Sequence, residues 1–263
     1  MRFELCFDLI PAEKGVLLPL SYQYELSSWL YKVLNYGDPI FSEWLHFKGY
    51  ISNDKPFKLF TFSNLKIPSF KIDGDLININ SKEVRLIISF LTDDAISPFI
   101  TGLFKERHLI LGNKSHQVAF NVSQVIGQPK PEITETMRFQ TISPLFVDEY
   151  NPSTGNTNHL SPDASNYSTL IHNTLKEKYR AFYKWEPNPE WPETKIIATN
   201  KPKSKLITIK SGTPEMTKIK AYNFQFTVTG HPELITVGYY GGFGRLGSQG
   251  FGCVENANKT VEI

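Results

Sequence analysis

Two rhythms of apolar residues follow one another along this chain in the same order twice, and that order limits the fold more than any single motif. Phe3, Leu5, Phe7 and Leu9 alternate with Arg2, Glu4, Cys6 and Asp8, the period of a strand with one buried face. Tyr22, Leu26, Trp29, Leu30, Val33 and Leu34 then recur at helical spacing, with Ser21 placed to cap the helix and Tyr31 on its wetter side. Asp38-Pro39 supplies a cap and a first-turn proline for a short second helix with Ile40, Phe41, Trp44 and Leu45 inward and His46 in its last turn. Strand patterns follow at 58–63, at 70–79 around an Asp-Gly turn, and at 84–90. A helix carrying Ile96, Phe99, Ile100, Leu103 and Phe104 and a strand at 118–122 complete the half.

After Gln128-Pro129-Lys130-Pro131, which reads as a linker, the same order returns. A strand at 137–142 and a polar loop at 149–159 lead to a long helix. Its Tyr167, Leu170, Ile171, Leu175, Tyr179 and Phe182 face inward, and its Lys176, Lys178, Arg180 and Lys184 largely outward. Strands at 195–198, 206–210 and 219–229 precede a last helix that begins at His231-Pro232-Glu233. Strand, helix, strands, helix, strand is the βαββαβ order of a ferredoxin-like, RRM-like unit. The predicted fold is therefore α+β, a tandem of ferredoxin-like domains at 1–128 and 129–263, without repetition at residue level.

From Gly241 to Gly252 the chain has six glycines among twelve residues and then enters Cys253-Val254. Such a run turns sharply and lets backbone N–H groups approach a phosphate or another backbone closely. Phosphate-loop chemistry needs a Lys-Ser/Thr pair and a helix beyond the last glycine, and here a strand follows. Gly250-Phe251-Gly252 with Val254 matches the RNA-recognition consensus in part. The net charge of +2 permits a polyanionic partner only through local concentrations of Lys and Arg, such as the lysines from 195 to 220. Solvated strand edges explain those lysines equally well. Cys6 and Cys253 lie in apolar, strand-like runs with neither zinc nor disulfide spacing, as free thiols in a reducing cytoplasm would. No apolar run is long enough for a membrane helix, and the histidines show no metal-ligand spacing.

The sequence resembles the CRISPR-associated endoribonucleases that cut precursor CRISPR RNA within its repeats, the Cas-six family of the repeat-associated RAMP superfamily. The likeness spans nearly the whole chain. It rests on Met1-Arg2-Phe3, on Leu18-Pro19-Leu20-Ser21-Tyr22 through Trp29-Leu30-Tyr31-Lys32, on Lys58-Leu59-Phe60-Thr61-Phe62-Ser63, and on Ser248-Gln249-Gly250-Phe251-Gly252-Cys253-Val254. The resemblance implies two ferredoxin-like domains, binding of CRISPR repeat RNA, no cofactor, and metal-independent cleavage that leaves 2′,3′-cyclic phosphate and 5′-hydroxyl ends. It carries the family's tyrosine, histidine and lysine onto Tyr31, His46 and Lys58. It further implies RNA contacts from Gly241, Gly242, Gly244, Arg245, Gly247, Ser248, Gln249, Gly250 and Gly252, and the concentration of lysines at 195–220 adds Lys203 and Lys205 as candidates.

Those residue types suit the reaction. Attack by a neighbouring 2′-hydroxyl needs a proton acceptor, a donor for the leaving 5′ oxygen, and a cation beside the phosphorane. A histidine, with an ordinary pKa near 6.5, can do either proton job, and a place in the last turn of a helix points to general acid or to a proton-shared role. Tyr31 then orients the 2′-hydroxyl or the phosphate, and Lys58 stabilises charge. The resemblance leaves open a homodimer, association with other CRISPR effector subunits, and the alternative of a non-catalytic RNA-binding or scaffold subunit.

Overall fold

The alternation of the first residues becomes β1 (Arg2–Ile10), and the helical spacing becomes α1 (Gln23–Gly37), which buries Leu26, Trp29, Leu30, Val33 and Leu34. The computed structural model describes residues 1–11, 16–153, 155–210 and 213–257. The first half continues with α2 (Pro39–Phe47), β2 (Phe60–Phe62), β3 (Glu83–Phe90), α3 (Ile96–Lys105), β4 (His108–Gly112) and β5 (Gln117–Gly127). Its strands form an antiparallel sheet in the order β2-β3-β1-β5-β4. The two helices close over one face, where Phe7 of β1 meets Trp29 of α1 and Phe3 meets Phe99 of α3.

The second half contains β6 (Thr136–Thr141), α4 (Tyr167–Tyr183), β7 (Lys195–Ala198), β8 (Lys203–Ile209), β9 (Thr217–Asn223), β10 (Gln225–Thr229), α5 (Pro232–Gly241) and β11 (Val254–Asn256). Its sheet runs β7-β10-β6-β11. In both halves the first strand lies between the strand before the last helix and the strand that ends the unit, so the fold is the expected tandem of ferredoxin-like sheets. One apolar core joins them, drawing buried residues from both. Hydrogen bonds cross as well: the Arg2 guanidinium donates to the Val254 carbonyl at 2.6 Å, and the Thr61 hydroxyl donates to the Phe251 carbonyl at 2.9 Å.

Local chemistry set some boundaries as expected. The Asp38 carboxylate accepts the Phe41 N–H at the start of α2, and the His231 ring accepts the Glu233 N–H at the start of α5. Elsewhere tertiary partners prevailed. Ser21 does not cap α1; its hydroxyl accepts the N–H of Thr208 from the second half. The run 219–229 breaks at Phe224, so that β9 pairs with β8 in a separate hairpin while β10 enters the sheet. The polar segment 149–159 is a hairpin of Asp148–Asn151 with Asn156–His159. Ile40 is 82 % exposed, because α2 packs through Leu45 and the half-buried Phe41 and Trp44. Phe104, in the last turn of α3, is also exposed, and Lys178 is buried where an outward lysine was expected.

Candidate active site

Three elements of the first half bring Tyr31, His46 and Lys58 together. Tyr31 comes from α1, His46 from the last turn of α2, and Lys58 from the segment that enters β2. The rings of Tyr31 and His46 meet edge to face with centroids 5.1 Å apart, and Tyr31 also leans on Phe60 at 5.8 Å. Lys58 Nζ donates to the His46 carbonyl at 2.7 Å. Leu59 adopts a left-handed conformation (φ 53°), which turns the chain between Lys58 and the buried strand. His46 itself is exposed, and among the described residues no protein group bonds its ring nitrogens.

The Gly-rich segment closes on this cluster from the other half. The Ser248 side chain lies beside the Tyr31 hydroxyl and favours its ionised form, and Ser27, one turn earlier on α1, donates to the Ser248 carbonyl at 2.7 Å. Burial nevertheless pushes the Tyr31 phenol up to about 12, with the neighbouring Ser248 hydroxyl pulling the other way. Burial also lowers the pKa of Lys58. The segment is no mobile surface loop: Gly241 to Gly244 and Gly250 to Cys253 are buried, and only 245–249 reach the surface through a short 3₁₀ turn at Gly247–Gln249.

Its reachable part lines a cleft of about 650 Å³ between the halves. The opposite walls are Lys55 to Phe60 and the face of α4 from Leu170 to Arg180. Lys55, Lys58, Lys176, Lys178, Arg180 and Arg245 outnumber Asp148 and Glu177 there, so the cleft favours an anionic chain. Arg245 is held by Asp148, with both carboxylate oxygens 2.9 Å from one guanidinium nitrogen, and Lys55 spans the cleft to Glu177 at 2.6 Å.

Two family models match the chain. The description "CRISPR-associated protein Cas6, N-terminal" matches residues 17–125, and "CRISPR associated protein Cas6, C-terminal" matches residues 128–256. A protein of Methanocaldococcus jannaschii named CRISPR-associated endoribonuclease Cas6 1 is 30% identical over 260 residues, covering 97% of this chain and 92% of its own. The chain belongs to the CRISPR-associated Cas6 family. The Cas6 endoribonuclease of Pyrococcus furiosus is 26% identical over 269 residues, covering 100% of this chain and 92% of its own. A solved Cas6 structure with 29% identity superposes with a TM-score of 0.76 over 98% of this chain and 99% of its own. The structure of a Cas6-related gene product from Pyrococcus furiosus, at 22% identity, reaches 0.84 over 99% of both chains, which speaks for the fold.

Within this Cas6-family framework the expected residues fall into three groups. Tyr31, His46 and Lys58 converge with Ser248, while Gly241, Gly244, Arg245, Gly247 and Gln249 line the adjoining cleft. Gly242, Gly250 and Gly252 pack against protein instead, beside Thr61, the Phe62 ring and the Phe243 carbonyl. Lys203 and Lys205 lie outside the cleft lining, on β8 of the separate hairpin. The inner face of that hairpin, Ile207, Ile209, Ile219 and Ala221, packs on Phe146 and Phe251. Lys205 is half-buried there, and desolvation lowers its pKa. Sequence reading passed over the tie from Ser27 to Ser248 and the burial of Lys178. Each depends on a partner more than sixty residues away, and no local pattern encodes it.

Proposed function

We propose that this protein is an endoribonuclease that cuts precursor CRISPR RNA within its repeats, by attack of a 2′-hydroxyl on the adjacent phosphorus and without a metal ion. The observation that carries the reading is the meeting of Tyr31, His46, Lys58 and Ser248, from four separate segments, at the edge of a basic cleft between two ferredoxin-like halves. The names of the Cas6 relatives support it.

The 2′ oxygen bonds to phosphorus, the bond from phosphorus to the 5′ oxygen breaks, and a cyclic phosphate and a 5′-hydroxyl result. His46, whose side chain is exposed, delivers the proton to the leaving oxygen as the 2′-hydroxyl gives its own to water. With its pKa near 12, Tyr31 is ionised to only about 10⁻⁵ at pH 7, so it serves as a hydrogen-bond donor that orients the 2′ oxygen or the phosphate rather than as the base. Lys58, anchored by one of its three N–H groups to the His46 carbonyl, turns the others towards the phosphorane.

The test incubates the protein with repeat RNA of its own genome, together with a copy carrying a 2′-deoxy nucleotide just 5′ of the cut. The expected result is cleavage of the first to cyclic-phosphate and 5′-hydroxyl ends, and normal binding without cleavage of the second. Equal cleavage of both identifies an external water as the nucleophile and refutes the mechanism. Tight binding without cleavage of either makes the protein the non-catalytic RNA-binding subunit.

A further inference from the structure

Beside the candidate active site lies a buried cation with no part in the chemistry above. Lys178 of α4 is only 5 % exposed, and its Nζ donates to three carbonyls: Gly241 at 3.0 Å, Gly242 at 2.6 Å and Gly244 at 2.9 Å. An ammonium has three N–H donors, and here each meets an oxygen. The carbonyls belong to the last residue of α5 and the start of the Gly-rich segment, where the helix end carries partial negative charge.

Among the described residues no carboxylate bonds this ammonium. The two carboxylates of the cleft, Glu177 and Asp148, are engaged by Lys55 and Arg245, and the other cations facing it are Lys58, Lys176 and Arg180. Burial pushes Lys178 down to about 7, while the three carbonyls and the helix end favour its charged form. A buried cation without an anion is costly, and its three bonds go to backbone that leads into the cleft wall. Directly after Gly244 comes the partly exposed stretch Arg245–Gln249, whose Ser248 lies beside the Tyr31 hydroxyl and accepts the Ser27 hydroxyl at its carbonyl.

We propose that Lys178 is a positioning residue for RNA cleavage: by holding the carbonyls of Gly241, Gly242 and Gly244 it fixes the Gly-rich segment, and through Ser248 it sets the Tyr31 hydroxyl. This role rests on the endoribonuclease reading above. Lys178 touches no reacting atom, and its effect runs from α4 through the loop to α1. A lysine that merely supported the fold would act without regard to Ser248.

A double-mutant cycle on single-turnover cleavage at saturating repeat RNA separates the two roles. Lys178→Met and Ser248→Ala are each expected to slow cleavage, the first by at least about tenfold, and the double variant is expected to be no slower than the slower single variant. Wild-type rates in Lys178→Met, or effects that multiply in the double variant, overturn the proposal. Should Lys178→Met fail to fold, Lys178→Gln, which keeps two N–H donors, takes its place in the cycle. Failure of that variant to fold makes Lys178 a support of the fold alone and also overturns the proposal. Wild-type protein that binds the repeat without cutting it overturns the nuclease reading instead, and that result is in hand before any variant is made.

Discussion

Replacing Gly252 by alanine tests whether this glycine of the C-terminal segment serves close packing of backbone against backbone within the second half. Gly252 has φ 73°, and a Cβ built on it lies 1.9 Å from the Phe243 carbonyl oxygen and 2.9 Å from its carbon. The left-handed backbone alone costs an alanine about 1–2 kcal/mol. Relieving the overlap means moving a strand of backbone by more than about an ångström, since carbon and oxygen in contact sit roughly 3.3 Å apart. That shift threatens two bonds of 2.9 Å, from the Phe243 N–H to the Gly252 carbonyl and from the Gly252 N–H to the Pro144 carbonyl. One buried hydrogen bond left unmade costs about 1–3 kcal/mol. The expected loss is therefore about 3 kcal/mol or more, a fall in melting temperature of roughly 6–12 °C for a chain of this size. Gly74→Ala is the control, because Gly74 also has positive φ, at 57°, but nothing lies within 4 Å of its Cβ. Thermal and urea melts followed by circular dichroism supply the measurement. If Gly252→Ala loses no more stability than Gly74→Ala, the overlap is absent and the packing role assigned to this glycine is wrong.

Other outcomes follow from the site. His46→Ala should slow cleavage by at least about 10²-fold with little change in RNA affinity, because one imidazole adds little to an interface of many phosphate contacts; a normal rate in single-turnover assays removes His46 from the chemistry. Cleavage should proceed at full rate in excess EDTA, since attack by the 2′-hydroxyl needs no metal; loss of activity that a divalent ion restores refutes that mechanism. Arg245 is paired with Asp148, and it can exchange that partner for a phosphate at the cleft. Arg245→Ala should then make the salt dependence of RNA binding shallower by roughly one unit, and an unaltered slope places the arginine outside the interface.

The parts of this structure that were legible in the sequence are those set by neighbours along the chain. Phe3, Leu5 and Phe7 alternate because one face of β1 meets two helices, and Asp38-Pro39 and His231-Pro232 start helices with side chains a few residues from the groups they cap. Tyr31, His46 and Lys58 were legible only as positions matching a family, because their contact is made by packing α1 against α2 and by the turn at Leu59. Lys178 was misread for a physical reason. It stands among Lys176, Arg180 and Lys184, a run that looks like a solvated helix face, and it becomes an interior residue only when the end of α5 arrives across it. Glycines at 241–252 signal close approach but not to what, and the structure divides them between the protein's own backbone and the cleft.

This division has a consequence for how the site is held. Tyr31 belongs to the first half and Ser248 to the second, and the segment that presents Ser248 is fixed from below by Lys178 and from the side by Thr61 and Ser27. Each of these ties crosses between segments, and each net hydrogen bond is worth only about 1 kcal/mol, so no single one governs global unfolding of a chain with so large a shared core. Geometry at the Tyr31 hydroxyl is less forgiving, since a displacement of about 1 Å in a catalytic arrangement can cost 10²-fold in rate. Weakening the loop's anchors should therefore reduce cleavage well before it reduces the melting temperature, whereas forcing a side chain into the packed glycines reduces both together.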